Sequence, residues 1–239
     1  ANTTGASNVA IGKDALAANT TGNYNVGIGL DALTVNTTGA NNVGVGLNAL
    51  KSNTTGSGNV GVGRDTLLTN TTGSNSTAVG IDALTAQTTG DANTAVGSQA
   101  LMAITTGATS TAVGRNALKA ATTGSSNVAI GYAVLDALTT ADLNTAVGYF
   151  AGSGVTDGHT NTFIGSDAGK AITTGDENTA VGHGALDAGT TVNGNTAVGT
   201  DTMASASYAG SYNTAVGYNA LLVSTTGSGL TAIGNQALD

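Results

Sequence analysis

The sequence predicts an all-β chain, a parallel β-solenoid (β-roll) of about fourteen 17-residue rungs. Three observations predict it. A Val/Ile-Gly step recurs at Gly12, Gly29, Gly46, Gly63, Gly80, Gly97, Gly114, Gly131, Gly148, Gly165, Gly182, Gly199, Gly217 and Gly234, with twelve intervals of 17 residues and one, ending at Gly217, of 18. The residues before each glycine alternate with period two, as strands do. The 239 residues include 37 Gly, 6 Tyr, 2 Phe and no Pro, Cys or Trp, too few large side chains for an ordinary globular core. A solenoid core is thin and needs only a few modest apolar residues per rung.

Each rung is numbered here from its Asn, as in Asn8-Val9-Ala10-Ile11-Gly12. Position 2 is Val or Thr and position 4 Val or Ile, whereas position 3 is Ala or Gly except at Phe163. This is the first strand. The glycine at position 5 then predicts a corner with positive φ or close backbone approach. Position 9 is Leu except at Gly152, Gly169 and Met203, position 11 is mostly small, and position 13 is nearly always Thr. That pattern predicts a second strand with positions 9, 11 and 13 inward and 10 and 12 outward. Thr-Gly and two polar residues, as in Thr55-Gly56-Ser57-Gly58, form the second corner. Ala-Leu-x-x also favours helix, but a helix-bearing rung needs at least about 20 residues.

Stacking at ~4.8 Å per rung would give a rod roughly 60–70 Å long in which identical residues align as ladders. Asn at position 1 would form an amide ladder at a corner, and Thr at position 13 an inward hydroxyl ladder. Few apolar side chains per rung set against the entropy of ordering the whole rung suggest that one chain is not enough. The row of tiny residues at position 3 is therefore expected to face outward and be buried between subunits, most simply around a threefold axis. Its members include Ala78, Ala95, Ala112, Ala129, Ala146, Phe163, Ala180 and Ala197. Phe163 is flanked by core deletions at Gly152 and Gly169, which suggests local compensation of volume.

Position 12 is polar early, at Asn19, Asn36, Asn53, Asn70 and Gln87, then apolar at Ile104, Leu138, Val155 and Ile172. Read as outward, those four residues form a patch for a surface receptor or glycan, or for a neighbouring subunit.

The strand Asn8-Val9-Ala10-Ile11-Gly12, repeated at Asn127-Val128-Ala129-Ile130-Gly131 and varied elsewhere as Asn-Thr-Ala-Val-Gly, resembles the YadA-like head repeats of trimeric autotransporter adhesins. The resemblance implies a left-handed parallel β-roll, three chains per head, extracellular or cell-surface, binding host or environmental surfaces. This chain departs from that pattern in its longer rung, with an added Thr-Thr-Gly corner, and no neck, stalk or membrane anchor is expected within these residues. Phage tail fibres could use the same roll.

Net charge is −8, and the six basic residues are spread thinly, so no basic stripe is present for nucleic acid. No apolar run has the length of a membrane span. Without cysteine there are no disulfides, zinc-thiolate sites or thiol nucleophiles. His159 and His183 lie in no catalytic or metal spacing and read as corner or surface residues. Asp14 with Asp31, and Asp65 with Asp82, would fall on adjacent rungs, but Asn and Gln fill the same position elsewhere, which points to corner chemistry rather than calcium. No catalytic constellation, metal site or cofactor is expected. The expected whole is one repeat solenoid over residues 1–239, a non-enzymatic segment of a longer fibre that self-associates as a homotrimer and stacks end to end. The rival from another class is an ice-binding solenoid, although on this facing no outward Thr-x-Thr array is formed.

Overall fold

The computed structural model describes residues 2–205, 208–223 and 226–238. The chain divides into two compact units, Ala1–Thr123 and Gly124–Asp239. The first contains β1 (Val9–Ile11), β2 (Val26–Ile28), β3 (Val43–Val45), β4 (Val60–Val62), β5 (Thr77–Val79), β6 (Thr94–Val96) and β7 (Thr111–Val113). The second contains β8 (Val128–Ile130), β9 (Thr145–Val147), β10 (Thr162–Ile164), β11 (Thr179–Val181), β12 (Thr196–Val198), β13 (Thr214–Val216) and β14 (Thr231–Ile233). Within each unit every strand pairs in parallel with the next, one rung on and in exact repeat register, as in Val26↔Val43 and Thr179↔Thr196. Both units are all-β parallel solenoids, with no helix among the described residues.

The expected second strand is not formed. Positions 7 and 9 both take left-handed backbone, as at Asp31 (φ 58°) and Leu33 (φ 52°), and an extended strand has no such residues. The segment is instead a run of tight turns, in which Ala15 N–H donates to Gly12 O and Ala17 N–H to Asp14 O. Each of these two turns carries its left-handed residue third, as type II turns require. Successive rungs remain bonded through the turns: Leu16 N–H donates to Ala32 O and Ala18 N–H to Thr34 O. The glycine corner is as expected. Gly29 has φ 134°, and a Cβ there would run into the carbonyl of Gly46 on the next rung.

The interior is a set of columns. Position 9 supplies leucine, and Leu33, Leu50, Leu84, Leu101 and Leu118 are fully buried. Position 1 supplies the amide ladder: Asn25 N–H donates to Asn8 Oδ1 (2.9 Å), and Asn25 Nδ2 closes its own rung by donating to Gly39 O (2.8 Å). The threonine ladder is also present, Thr20 Oγ1 donating to Thr37 O at 2.9 Å, but it is half-buried rather than inward. Position 12, expected outside, is inside. In the first unit it forms a second amide column, with Asn36 Nδ2 donating to Asn19 Oδ1 (2.9 Å) and Asn53 Nδ2 to Asn36 Oδ1 (2.8 Å). Buried amides stacked in register satisfy one another and hold the rungs in alignment.

Candidate binding surface

The two sets of residues singled out from the sequence both lie in the core. Ala78, Ala95, Ala112, Ala129, Ala146, Phe163, Ala180 and Ala197 are each 0% exposed on the lone chain. The small row is thus enclosed by its own coil and is not a subunit face. The reason is the leucine column. A Cβ on Gly27 would stand 3.2 Å from Leu16 Cγ, and one on Gly44 3.3 Å from Leu33 Cγ. Position 3 is small because position 9 of the preceding rung already fills the space. Ile104, Leu138, Val155 and Ile172 are likewise fully buried and form no outer patch. Ile104 takes the position-12 column of the first unit into apolar form once its amides end, and Leu138, Val155 and Ile172 fill the same position in the second unit.

The compensation at Phe163 is real, but it is internal. A Cβ on Gly152 would meet Phe163 Cδ2 at 2.7 Å, and one on Gly169 would overlap the same ring. One phenyl therefore fills the space that two leucines occupy elsewhere. The longest rung holds a second plug. Tyr208 is buried and its hydroxyl sits between two ladder amides, 3.2 Å from Asn195 Oδ1 and 2.6 Å from Asn213 Nδ2. Burial pushes that phenol above its usual value.

With position 3 inside, positions 2 and 4 face out. The outer strand face carries Val or Thr in one rank and Val or Ile in the other, each half-buried or exposed in β2–β13. Val96 is 37% exposed, Ile130 40% and Ile164 41%. In the second unit the first rank is threonine at Thr145, Thr162, Thr179, Thr196, Thr214 and Thr231, in register from strand to strand. This single outward threonine rank was missed from the sequence because the strand was read with its faces exchanged. The face is flat, nearly uncharged and continuous along each unit.

The charged groups sit at the corners. Lys51 Nζ pairs with Asp31 (3.0 Å), and Arg64 lies 3.5 Å from Asp65 and 3.7 Å from Asp82. Among the described residues no three His, Asp or Glu side chains converge as a metal ion would require. His159 belongs to a corner ladder, where its Nδ1 accepts from Asp142 N–H (3.0 Å) and its own N–H donates to Asp176 Oδ1 (2.7 Å). His183 is exposed, 3.6 Å from Asp201. The repeat also creates Asn-x-Thr sequons at Asn2, Asn19, Asn36, Asn53 and Asn70; the last four place their amides inside the buried column, whereas Asn2 is exposed. Two corner groups are held in their charged forms: the Lys170 ammonium keeps Asp167 below the usual carboxylate range, and Asp167 raises Lys170 in turn. Nearby Asp187 is shifted up, chiefly by burial and then by the Asp201 charge.

No helix of the described residues is long and apolar enough to cross a membrane. Comparison of the chain with protein-family models, with curated proteins and with solved structures finds no match.

Proposed function

We propose that this chain is a non-enzymatic segment of an extracellular or cell-surface fibre, in which three copies pack their outer strand faces around a common axis. The observation that carries the reading is the outer face itself. Val and Ile columns stand exposed along each unit with hardly a charge among them, and an apolar patch of that extent marks an interaction surface. Rungs that repeat in exact register give sister chains matching ridges at every level, so a symmetric contact propagates along the face. The parallel roll and the Asn-Val-Ala-Ile-Gly strand support a YadA-like adhesin head, and a phage tail-fibre-like receptor-binding rod would use the same surface.

Light scattering on the purified chain tests the reading. Three chains per particle are expected, and Val96→Lys, which sets an ammonium on the outer face, should dissociate them while Lys119→Ala does not. A stable monomer, or equal tolerance of both changes, would overturn the trimer.

The threonine rank favours one second reading. A flat, in-register row of hydroxyls and methyls can order water, which is the demand on an ice-binding solenoid. That reading needs the outer strand face free in solution. Thermal hysteresis from a monomer would establish it in place of the fibre, whereas a trimer without hysteresis would exclude it.

A further inference from the structure

The chain has only eight aromatic residues, and three of them meet at one corner of two consecutive rungs. Tyr132 and Tyr149 occupy position 6 of successive rungs and stack with ring centroids 5.5 Å apart and planes 17° from parallel. Phe150 stands edge-on to both, at 5.4 Å and 4.5 Å. None of these rings is needed for the interior, which the columns already fill. Tyr149 remains 52% exposed.

Phe150 shares the left-handed backbone of its repeat position. Position 7 is left-handed throughout the repeat, at Gln99 and Ala133 as well as at Asp31, Asn48, Asp65 and Gly184. Phe150 takes φ 54° there, a conformation that costs a bulky residue more than it costs Asp, Asn or Gly. Phe150 itself is half-buried, and the exposed ring surface is that of Tyr132 and Tyr149.

The next rung supplies polar groups along one edge of the rings. Lys170 Nζ lies 5.6 Å from the Phe150 centroid and is anchored by Asp167 at 2.9 Å. Asp187 lies beyond, close enough to act electrostatically on Lys170. Exposed rings bordered by carboxylates and an ammonium suit a ligand with an apolar C–H face and hydroxyls around its rim. Lys170 is already neutralised by Asp167, so the edge keeps an excess of negative charge and repels acidic ligands. A ligand with its own hydroxyl donors satisfies the carboxylates without carrying charge.

From this geometry we propose that the Tyr132–Tyr149–Phe150 corner, with Asp167, Lys170 and Asp187, is a binding site for a neutral polysaccharide. Sugar rings lie against the exposed tyrosine surface and their hydroxyls bond to the charged edge. The site is an open ledge, which suits a polymer running along the surface. This gives the adhesive reading a ligand class. Because the site lies on a corner and not on the outer strand face, either proposal can fail without the other.

The test is native gel electrophoresis through gels containing laminarin, hydroxyethyl cellulose, galactomannan or, as the acidic control, alginate. At least one neutral polymer should retard the wild-type chain, and alginate should not. Tyr149→Ala should weaken that retardation about tenfold or more, the scale on which losing a central aromatic anchor weakens an interface. Tyr218→Ala, at the same rung position but away from the cluster, should leave it unchanged. Circular dichroism should show both variants folded. Failure of all three neutral polymers, equal retardation by alginate, or wild-type retardation of Tyr149→Ala would each overturn the site.

Discussion

Phe163 offers the sharpest test of the internal packing, because one ring substitutes for two leucines. Truncation by Phe163→Ala should cost about 3–5 kcal/mol, the range for emptying a buried phenyl site. Restoring a leucine while the ring stays should also be costly. In Gly169→Leu the new Cβ would fall within 2.8 Å of Phe163 Cγ and nearer still to other ring atoms. Overpacking of that kind costs about 1–3 kcal/mol. The triple variant Gly152→Leu/Phe163→Ala/Gly169→Leu recreates the leucine-against-alanine packing of the regular rungs. It should come within about 2–4 kcal/mol of wild type, the residue being the left-handed strain of two new leucines at about 1–2 kcal/mol each. Urea midpoints followed by circular dichroism give the ranking. If the triple variant is no more stable than Phe163→Ala alone, the ring is not standing in for the leucines and the column account of the interior fails.

Other perturbations address separate columns. Asn53→Asp removes the amide that donates to Asn36 Oδ1 and Gly56 O and leaves a buried carboxylate. A loss of about 3 kcal/mol or more is expected at neutral pH, partly relieved in acid; a melting temperature equal to wild type would contradict the buried amide column. The Tyr208 phenol is raised by burial, so the folded chain keeps its proton after the unfolded chain has begun to lose it. Stability from this group is complete below pH about 10 and falls as pH rises above that, and Tyr208→Phe should lack this part of the alkaline decline in urea titrations. Asp157 is held below its ordinary value by the Thr140 and Thr139 hydroxyls. Its contribution is present above the ordinary carboxylate value and lost as pH falls below it, so Asp157→Asn should be less acid-sensitive than wild type between pH about 4 and 2 in the same assay.

Much of the fold was legible. The beat of position 5 glycines gives rung length and strand location directly, because a corner glycine packed on the next rung's carbonyl tolerates no other residue. The position-1 amide ladder also follows from spacing alone. Facing did not follow. Alternation in Thr94-Ala95-Val96 defines two faces without saying which is covered, and the usual preference for burying the larger side chains points the wrong way here. The decisive fact is the left-handed leucine at position 9, a conformation that local propensity assigns to Gly or Asn. One sequence signal carried it. Gly152 (φ 59°) and Gly169 (φ 62°) stand in for that leucine, as glycine does where positive φ is required. The aromatic corner was missed for another reason: Tyr132 and Tyr149 sit at a position that varies freely, and only stacking brings them together.

The fifth rung, from Ser76 to Ala92, joins two interiors of different chemistry. Below it the position-12 column is amide, ending at Asn70; above it the column is aliphatic, beginning at Ile104. Gln87 couples them by donating to Asn70 Oδ1 (3.2 Å) and to the hydroxyl of Ser76 (3.1 Å) while accepting from Asn93 (3.0 Å). Excising residues 42–58 would set Asn70 directly on Asn36, like upon like. Excising 76–92 would set Asn70 against Ile104 and strand a buried carbonyl. Whole modules can therefore be dropped or duplicated on either side of this adaptor, but the adaptor itself has a fixed place in the stack.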